Sequence, residues 1–212
     1  MRMTNRLPNI SNKHKICIIC EGNEEYEYLE KLKSLKVWNE LYEVELENAG
    51  GNGNIPARYQ NRYQNSTHEL VLVFCDTEKK PHEQYEDIKR KINEFHGLDS
   101  AADVVIIFSN PCTMQVISKH WTDEIIKSPA KPVNAPLIKE HTGVDNYKAR
   151  ADQIKEVMKH ITKDNYEDMR QRVDKLGESD SVLGNSNFKK YMQMLESSKD
   201  SWIEDINNKL EE

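Results

Sequence analysis

Three acidic residues follow two of the most apolar stretches of this sequence. Glu21 comes directly after residues 15–20, and Asp76 and Glu78 come directly after residues 69–75. A two-residue spacing in an extended chain places Asp76 and Glu78 on the same side. Carboxylate oxygens are the ligands that Mg²⁺ prefers. The pattern therefore predicts a magnesium site for phosphodiester chemistry, with Glu21 as a further ligand or a general acid/base.

The same residues have a simpler interpretation that stays open at this point. Acidic residues after strands often do no more than cap the helix that follows, and Gly22 alone is an ordinary turn glycine. A third apolar stretch, residues 103–108, ends in Ser109 and Asn110, which adds a third polar strand end. Lys148 is a candidate phosphate contact, although a solvated helix face also explains it.

The elements that must position these residues alternate between strand and helix. Continuous apolar runs of four to eight residues predict strands buried on both faces, and helical periodicity follows them. The sequence predicts strands at residues 15–20, 41–46, 69–75 and 103–108, and helices at residues 24–38, 55–63, 82–95 and 113–121. This order predicts an α/β fold with a parallel sheet flanked by helices. Ligands bind beyond the carboxyl ends of the strands of such a sheet, so the polar strand ends should converge.

We expect three segments along the chain. Residues 1–14 read as a polar N-terminal tail, residues 15–145 as the α/β domain, and residues 146–212 as a helical region packing on or beside it. The stretch 127–136 contains three prolines and is predicted to be a loop. Helices are predicted at residues 147–161, 166–176 and 188–210.

Composition narrows the function classes. The 212 residues carry a formal net charge of −6 and are 31% charged, so no overall basic field attracts nucleic acid. No apolar run approaches the length that crosses a bilayer, and the polar N-terminus does not resemble a signal peptide. Cys17 and Cys20 form a C-x-x-C pattern, but inside an apolar run they are interpreted as small buried thiols. We expect a cytoplasmic protein that is not bound to a membrane.

Two histidines are candidates for metal ligands or acid/base groups. His120 and His141 have no partner at metal-ligand spacing. They are interpreted as surface or helix-end histidines.

The motifs resemble those of a known family. Cys20-Glu21-Gly22-x-x-Glu25 after an apolar strand resembles the opening motif of the Toprim domain, and Asp76-Thr77-Glu78 resembles its acidic motif. Toprim proteins include topoisomerases, bacterial primases and overcoming-lysogeny-defect nucleases. The resemblance implies a Rossmann-like sheet, an acid/base role for Glu21, and Mg²⁺ or Mn²⁺ held by Asp76 and Glu78, with Glu21 completing the set.

Ser109-Asn110-Pro111-Cys112 is similar to a stretch of the RloB-like proteins, small Toprim proteins associated with restriction and phage defence. The sequence departs from that pattern in two ways. Thr113-Met114 stands where a Phe-Glu pair is usual, and the acidic motif is Asp-x-Glu in place of Asp-x-Asp. Gly22, Glu25, Ser109 and Asn110 are carried over as supporting residues.

The resemblance implies a Mg²⁺-dependent nuclease acting on DNA or RNA, with a partner ATPase or defence subunit and an oligomeric state left open. No segment suggests a nucleophilic tyrosine domain, which favours hydrolysis over strand transfer. The alternative is a non-catalytic Toprim-like module with an eroded metal site that binds nucleic acid or a partner. A third alternative is a flavodoxin-like or receiver-type α/β protein, which is disfavoured because the lysine and Ser/Thr strand-end positions that a receiver needs beside its acids are missing.

Overall fold

The chain forms a four-stranded parallel sheet covered by helices. The computed structural model describes residues 13–78 and 80–211. The strands are β1 (His14–Cys20), β2 (Tyr42–Asn48), β3 (Leu70–Asp76) and β4 (Ile106–Ser109). The sheet order is β2-β1-β3-β4 and every pairing is parallel. This confirms the predicted α/β class with a parallel sheet, an architecture of the Rossmann-like kind.

Ten α-helices occur in the described part of the chain. The first five are α1 (Asn23–Ser34), α2 (Ile55–Asn65), α3 (Glu83–His96), α4 (Ala101–Val105) and α5 (Met114–Ile117). The others are α6 (Lys131–Thr142), α7 (Ala151–Lys159), α8 (Lys163–Val173), α9 (Phe188–Glu196) and α10 (Ser201–Glu211). Short 3₁₀ turns precede α2 and follow α5, at Asn52–Asn54 and Ser118–His120.

Helices pack on both faces of the sheet. Phe74 of β3 packs against Phe188 of α9, with ring centroids 5.4 Å apart. Phe108 lies beside Cys75 in the β3–β4 register and packs against Tyr85 of α3 at 6.4 Å. Neighbouring residues along a strand point to opposite faces, so these two contacts cover opposite sides. Two-sided burial explains why β1 and β3 read as continuous apolar runs.

The helices of the C-terminal third share this core. Residues of α7, α8, α9 and α10 are buried with the sheet in one apolar cluster. Trp202 of α10 packs on Tyr42 of β2 and donates an indole hydrogen bond to its hydroxyl at 2.9 Å. Residues 1–12 of the predicted tail, 1–14, lie outside the described residues. Strand β1 begins at His14, inside the predicted tail.

Four predictions of local structure are wrong. The stretch 127–136 was expected to be a loop, but α6 begins at Lys131. Pro132 lies in its first turn, where a missing N–H costs nothing, and Pro136 inside the helix costs one hydrogen bond that burial of Ile138 offsets. Residues 103–105 belong to helix α4 and not to a strand.

The predicted helix at residues 188–210 is two helices. They are separated at Ser197–Asp200, where serine and aspartate favour helix ends. The first helix is also shorter than predicted, because Lys36 adopts a left-handed backbone with φ of 55°.

The cysteines are structural. All four are unpaired and buried, and burial raises the pKa of the Cys17 thiol to about 12. This confirms the buried-thiol interpretation of the C-x-x-C pattern. In the part of the chain that the structure covers, no helix has both the length and the apolarity that crossing a membrane requires.

His120 is a core residue, contrary to the surface interpretation. It is 1% exposed, its Nε2 lies 3.1 Å from the Tyr28 hydroxyl, and its Nδ1 lies 3.0 Å from Asn165 Oδ1. These partners fit a neutral ring that donates from Nδ1 and accepts at Nε2. Burial lowers the pKa of His120 to about 4.

This buried histidine should weaken the fold in acid. The unfolded chain binds a proton near pH 6.5 and the folded chain only near pH 4, so unfolding takes up a proton between these values. The free energy of unfolding should therefore fall by about 3 kcal/mol from pH 7 to pH 4 through this group. Urea unfolding of wild type and His120→Gln should show that the difference between their free energies of unfolding becomes smaller from pH 7 to pH 4. His141→Gln, at a partly exposed ring stacked on Trp121, should keep the wild-type profile.

Candidate functional site

The sheet order places two acidic strand ends side by side. β2 follows β1 on one side of the sheet, whereas β3 and β4 continue on the other side. The chain therefore reverses direction across the sheet between β1 and β3, and this is where ligands bind in open parallel sheets. Cys20 pairs with Phe74 in the β1–β3 register, so Glu21 follows β1 beside the end of β3 at Asp76.

Glu21 is held by backbone and side-chain donors. The backbone N–H of Asp76 donates to Glu21 Oε2 at 2.9 Å. Asn52, in the Gly/Asn loop after β2, lies with its carboxamide 2.7 Å from both carboxylate oxygens of Glu21 and donates to them in the orientation that satisfies the amide. The backbone N–H of Gly51 donates to the Glu21 carbonyl at 2.8 Å. This loop therefore forms one wall of the site.

Asp76 is oriented by the segment after β4. Its Oδ1 accepts hydrogen bonds from the backbone N–H of Thr113 at 2.6 Å and from the Thr113 hydroxyl at 2.7 Å. The side chain is 8% exposed. The Ser-Asn-Pro-Cys stretch therefore serves the site through the threonine that follows it.

Glu25 and Gly22 belong to the start of α1. The backbone N–H of Gly22 donates to Glu25 Oε2 at 2.9 Å, which is the reciprocal half of a capping box. Glu25 is 4% exposed, so this capping carboxylate is turned inward toward the other acids. The helix-capping interpretation thus holds for Glu25.

A third acid of this segment, Glu24, forms a buried ion pair. It pairs with the ammonium group of Lys131, the first residue of α6, and accepts a hydrogen bond from the Tyr147 hydroxyl at 2.6 Å. The Glu24 side chain is 8% exposed and that of Lys131 is 28% exposed. These contacts fasten the chain around residues 131–147 to the first turn of α1.

Burial and mutual repulsion raise the pKa of the clustered carboxyl groups. Burial, followed by the charge of Glu25, raises the pKa of Glu21 to about 8. Burial, followed by the charges of Glu25 and Glu21, raises the pKa of Asp76 well above its usual range. Burial and the charge of Glu24 raise the pKa of Glu25. Lys131 acts in the opposite direction on all three groups.

The remaining predicted residues lie at the edge of the cluster or turn away from it. Glu78 is partly exposed and has φ of 58°, so the extended geometry expected to align it with Asp76 is absent. The charge of Glu78 still contributes to the raised pKa of Glu21. Ser109 and Asn110 are directed to the 177–187 loop, where they meet the Ser186 hydroxyl at 3.5 Å and the Asp180 carbonyl at 2.6 Å.

Lys148 is exposed, and among described residues only its backbone N–H makes a hydrogen bond, to Gln153. Its neighbour Tyr147 is the residue that reaches the acids, through Glu24. The phosphate contact predicted for Lys148 stays a prediction.

The cluster suits a hard divalent cation in its chemistry but is not arranged around one. Within residues 13–78 and 80–211, no three Asp, Glu, His or Cys side chains stand in positions that could hold a metal ion. The donors are all carboxyl oxygens, the kind of ligand that Mg²⁺ prefers. Binding would require these side chains to lose their protons and to turn from their present hydrogen-bond partners.

Sequence reasoning missed four residues of this site: Asn52, Thr113, Lys131 and Tyr147. Asn52 lies in the Gly/Asn loop after β2, and Thr113 directly follows the Ser-Asn-Pro-Cys motif. Both follow a strand of the parallel sheet, so their position in the sequence could have indicated that they lie at the site. Lys131 and Tyr147 are far from the motifs along the chain, and only the placement of α6 brings them to α1.

Comparisons with known proteins identified no relative of this chain. No protein-family model, no curated protein and no solved structure matches it.

Glu21→Gln should stabilise the protein when no divalent cation is present. Between pH 4.5 and about 8 the unfolded chain has lost the Glu21 proton and the folded chain retains it, so folding stability falls as pH rises. The glutamine oxygen can accept from the Asp76 N–H, and Asn52 can rotate its amide to match. We expect a gain of about 1 to 3 kcal/mol at pH 8 in EDTA and little gain at pH 5, measured by urea unfolding.

Glu30→Gln is the matched control, since Glu30 is a partly exposed acid on the same helix that pairs with Lys33. It should change stability by less than about 0.5 kcal/mol at both pH values. Equal stability of wild type and Glu21→Gln at pH 8 would show that Glu21 is not strained by its neighbours.

Proposed function

We propose that this protein is a cytoplasmic, Mg²⁺-dependent nuclease of the Toprim type that hydrolyses phosphodiester bonds in nucleic acid. Mn²⁺ is an alternative cofactor. The resemblance of its motifs to RloB-like proteins supports a role in bacterial phage defence, together with a partner ATPase or defence subunit.

One observation carries the proposal. Glu21 and Asp76 end the two central strands of a parallel sheet and meet at the point where the strand order reverses, with the Asp76 N–H 2.9 Å from the Glu21 carboxylate. Buried carboxyl groups with raised pKa values in such a crevice are typical of functional sites. Apolar or neutral residues at these two positions would make the protein more stable, so folding stability alone does not explain the two acids.

Each acid has a distinct role in the proposal. Asp76 and Glu78, with Glu21, would hold the cation. When held there, Mg²⁺ would supply Lewis-acid polarisation of the scissile phosphate and stabilisation of charge on the leaving oxygen. Glu21 would also move a proton at the reacting oxygen, as the resemblance implies. Thr113 holds Asp76, and Asn52 holds Glu21, in the arrangement without a cation.

Charge supports a local and not a global mode of nucleic-acid binding. The net charge of −6 repels a polyanion at long range, so phosphate charge must be met at the site. A divalent cation on the carboxylates would neutralise most of their negative charge and offer a positive centre to a phosphate oxygen.

The test is a cleavage assay on RNA, single-stranded DNA and double-stranded DNA in Mg²⁺, Mn²⁺ or EDTA. Wild type should cleave at least one substrate with either cation and none in EDTA. Asp76→Asn should lose the activity with its cation site, and Glu21→Gln should lose on the order of 10²-fold or more. Isothermal titration should show Mg²⁺ binding to wild type and none to Asp76→Asn.

Glu30→Gln again serves as the control and should cleave like wild type. Asp76→Asn keeps a side-chain oxygen for Thr113, so circular dichroism should show an intact fold. Cleavage that persists in EDTA, or in both site variants, would contradict the proposal.

The arrangement of the acids favours one second function. Because no described side chains are positioned as a metal site, a non-catalytic Toprim-like module that binds nucleic acid or a defence partner also fits. Its sign would be nucleic-acid binding that is equal in Mg²⁺ and EDTA, with no cleavage.

A further inference from the structure

The acids of the candidate site are largely closed off from solvent. Glu25 is 4% exposed and Asp76 is 8% exposed. A phosphodiester group, or a cation that binds one, must come within about 3 Å of these carboxyl oxygens before it can be acted on. Part of the chain around the acids must therefore move before a substrate enters.

One segment reaches the first turn of α1 from the far half of the chain. Residues 127–135, called the flap below, are the last residues before α6 and the first five residues of that helix. Within the flap, Lys131 forms an ion pair with Glu24. Glu24 is the neighbour of Glu25 in α1, so the flap is fastened beside one acid of the cluster.

The flap also contacts the stretch that follows β4. The side-chain amide of Asn134 lies 3.9 Å from the sulfur of Cys112. The next residue along the chain, Thr113, binds Asp76 through its N–H and its hydroxyl. The flap thus bridges the two segments that hold Glu25 and Asp76.

Polar contacts hold the flap, and apolar packing contributes little. Asn134 is its only buried residue, and Val133 is 58% exposed. Apart from the backbone bonds of α6, the contacts with Glu24 and Cys112 are the only hydrogen bonds or ion pairs that join the flap to other described residues. Segments with few buried apolar contacts open at a lower free-energy cost than the core does.

Firm anchors lie on either side of the flap. Before it, Ile126 is 3% exposed, and its N–H donates to the side chain of Gln115 at 2.8 Å. After it, Ile138 is 1% exposed. Pro136 stands between the flap and this second anchor, and it has no N–H to bond to the carbonyl of Pro132. A proline inside a helix is where the helix bends most easily.

We propose that the flap is a lid over the acid cluster, with the Lys131–Glu24 ion pair as its latch and Pro136 as its hinge. When the latch opens, the flap moves away from Glu25 and Asp76 while the carboxyl half of α6 stays in place. The inference rests on the proposed function for what enters, a phosphodiester strand, and it adds the step that admits the strand. The latch consists of the chain's own residues, so it can be tested without substrate.

A lid and a purely structural ion pair make different predictions. If the flap opens alone, its amides exchange through a local event that exposes little surface, so the exchange rate depends weakly on urea. If the ion pair is only structural, the flap and β3 exchange through the same unfolding event, which depends steeply on urea. The rate at which Asp76 is chemically modified shows which of the two events uncovers the acids.

The first measurement is made on wild type in EDTA at pH 7.5, over a range of low urea concentrations. Mass spectrometry follows hydrogen exchange in the flap and in β3. In parallel, a carbodiimide and an amine modify accessible carboxyl groups, and peptide mapping gives the initial rates for Asp76 and Glu25. We expect the flap to exchange at least about tenfold faster than β3, and Asp76 modification to share the weak urea dependence of the flap.

The latch is tested with Glu24→Gln, Lys131→Met and the double variant. Each should raise both flap exchange and Asp76 modification about tenfold, the size expected for one hydrogen bond to a charged group. The double variant should raise them no further than the single variants do. It also removes both charges together, so it leaves the net charge beside the acids unchanged and tests the latch even if a single variant does not fold.

Two further variants bracket the effect. Pro136→Ala supplies the missing N–H, so it should slow flap exchange and Asp76 modification below their wild-type rates. Lys139→Met removes an exposed lysine from the carboxyl half of α6 that pairs with Asp145, and it should keep the wild-type rates.

The outcomes separate the lid from the proposed function. The lid is overturned if Asp76 modification follows β3 in its urea dependence, or if the latch variants leave it unchanged. Cleavage of nucleic acid by wild type would still stand in that case. A flap that opens locally and uncovers Asp76 supports the lid, and a wild type that then cleaves no substrate overturns the proposed function alone.

Discussion

The burial of carboxyl groups at the ends of β1 and β3 is the constraint on which the site depends. Isolated charges are costly in an apolar interior, and like charges add to that cost. The two strands can carry it because their residues from Ile16 to Cys20 and from Leu70 to Cys75 are almost fully buried. Backbone donors then fix the acids: the N–H of Asp76 binds Glu21, and the N–H of Thr113 binds Asp76.

The C-terminal helices complete the site as well as covering the sheet. The 177–187 loop pairs with the end of β4 through Ser109 and Ser186, and Asn187 bonds the backbone of Ile106 and Phe108. These contacts hold the segment that carries Thr113 against Asp76. At the start of α1, Lys131 of α6 forms an ion pair with Glu24, and the Tyr147 hydroxyl donates a hydrogen bond to the same carboxylate. The acids of the first half of the chain therefore have their geometry and charge set by the second half.

The sequence was sufficient for the sheet and for the meeting of Glu21 with Asp76. Continuous apolar runs located β1 and β3 within a residue, and parallel topology then required their ends to adjoin. It was insufficient where tertiary packing overrides a local rule. The three prolines of residues 127–136 predict a loop, whereas tertiary packing that buries Asn134 and Ile138 allows helix α6 there. Because the helix was not predicted, the position of Lys131 in its first turn was not predicted either. Glu78 was misplaced because alternation ends with the strand, and its left-handed backbone has no signature in a non-glycine residue.

The helix-capping explanation accounts for only part of the acidic cluster. Glu25 caps α1 through Gly22, and Glu24 lies in the first turn of the same helix, where the dipole favours an acid. Glu21 caps no helix: it accepts from the end of a neighbouring strand, in a position where Gln would form the same bond at no electrostatic cost. An acid in such a place lowers stability at neutral pH. Destabilising residues at the reversal point of a parallel sheet are better explained by ligand chemistry than by folding.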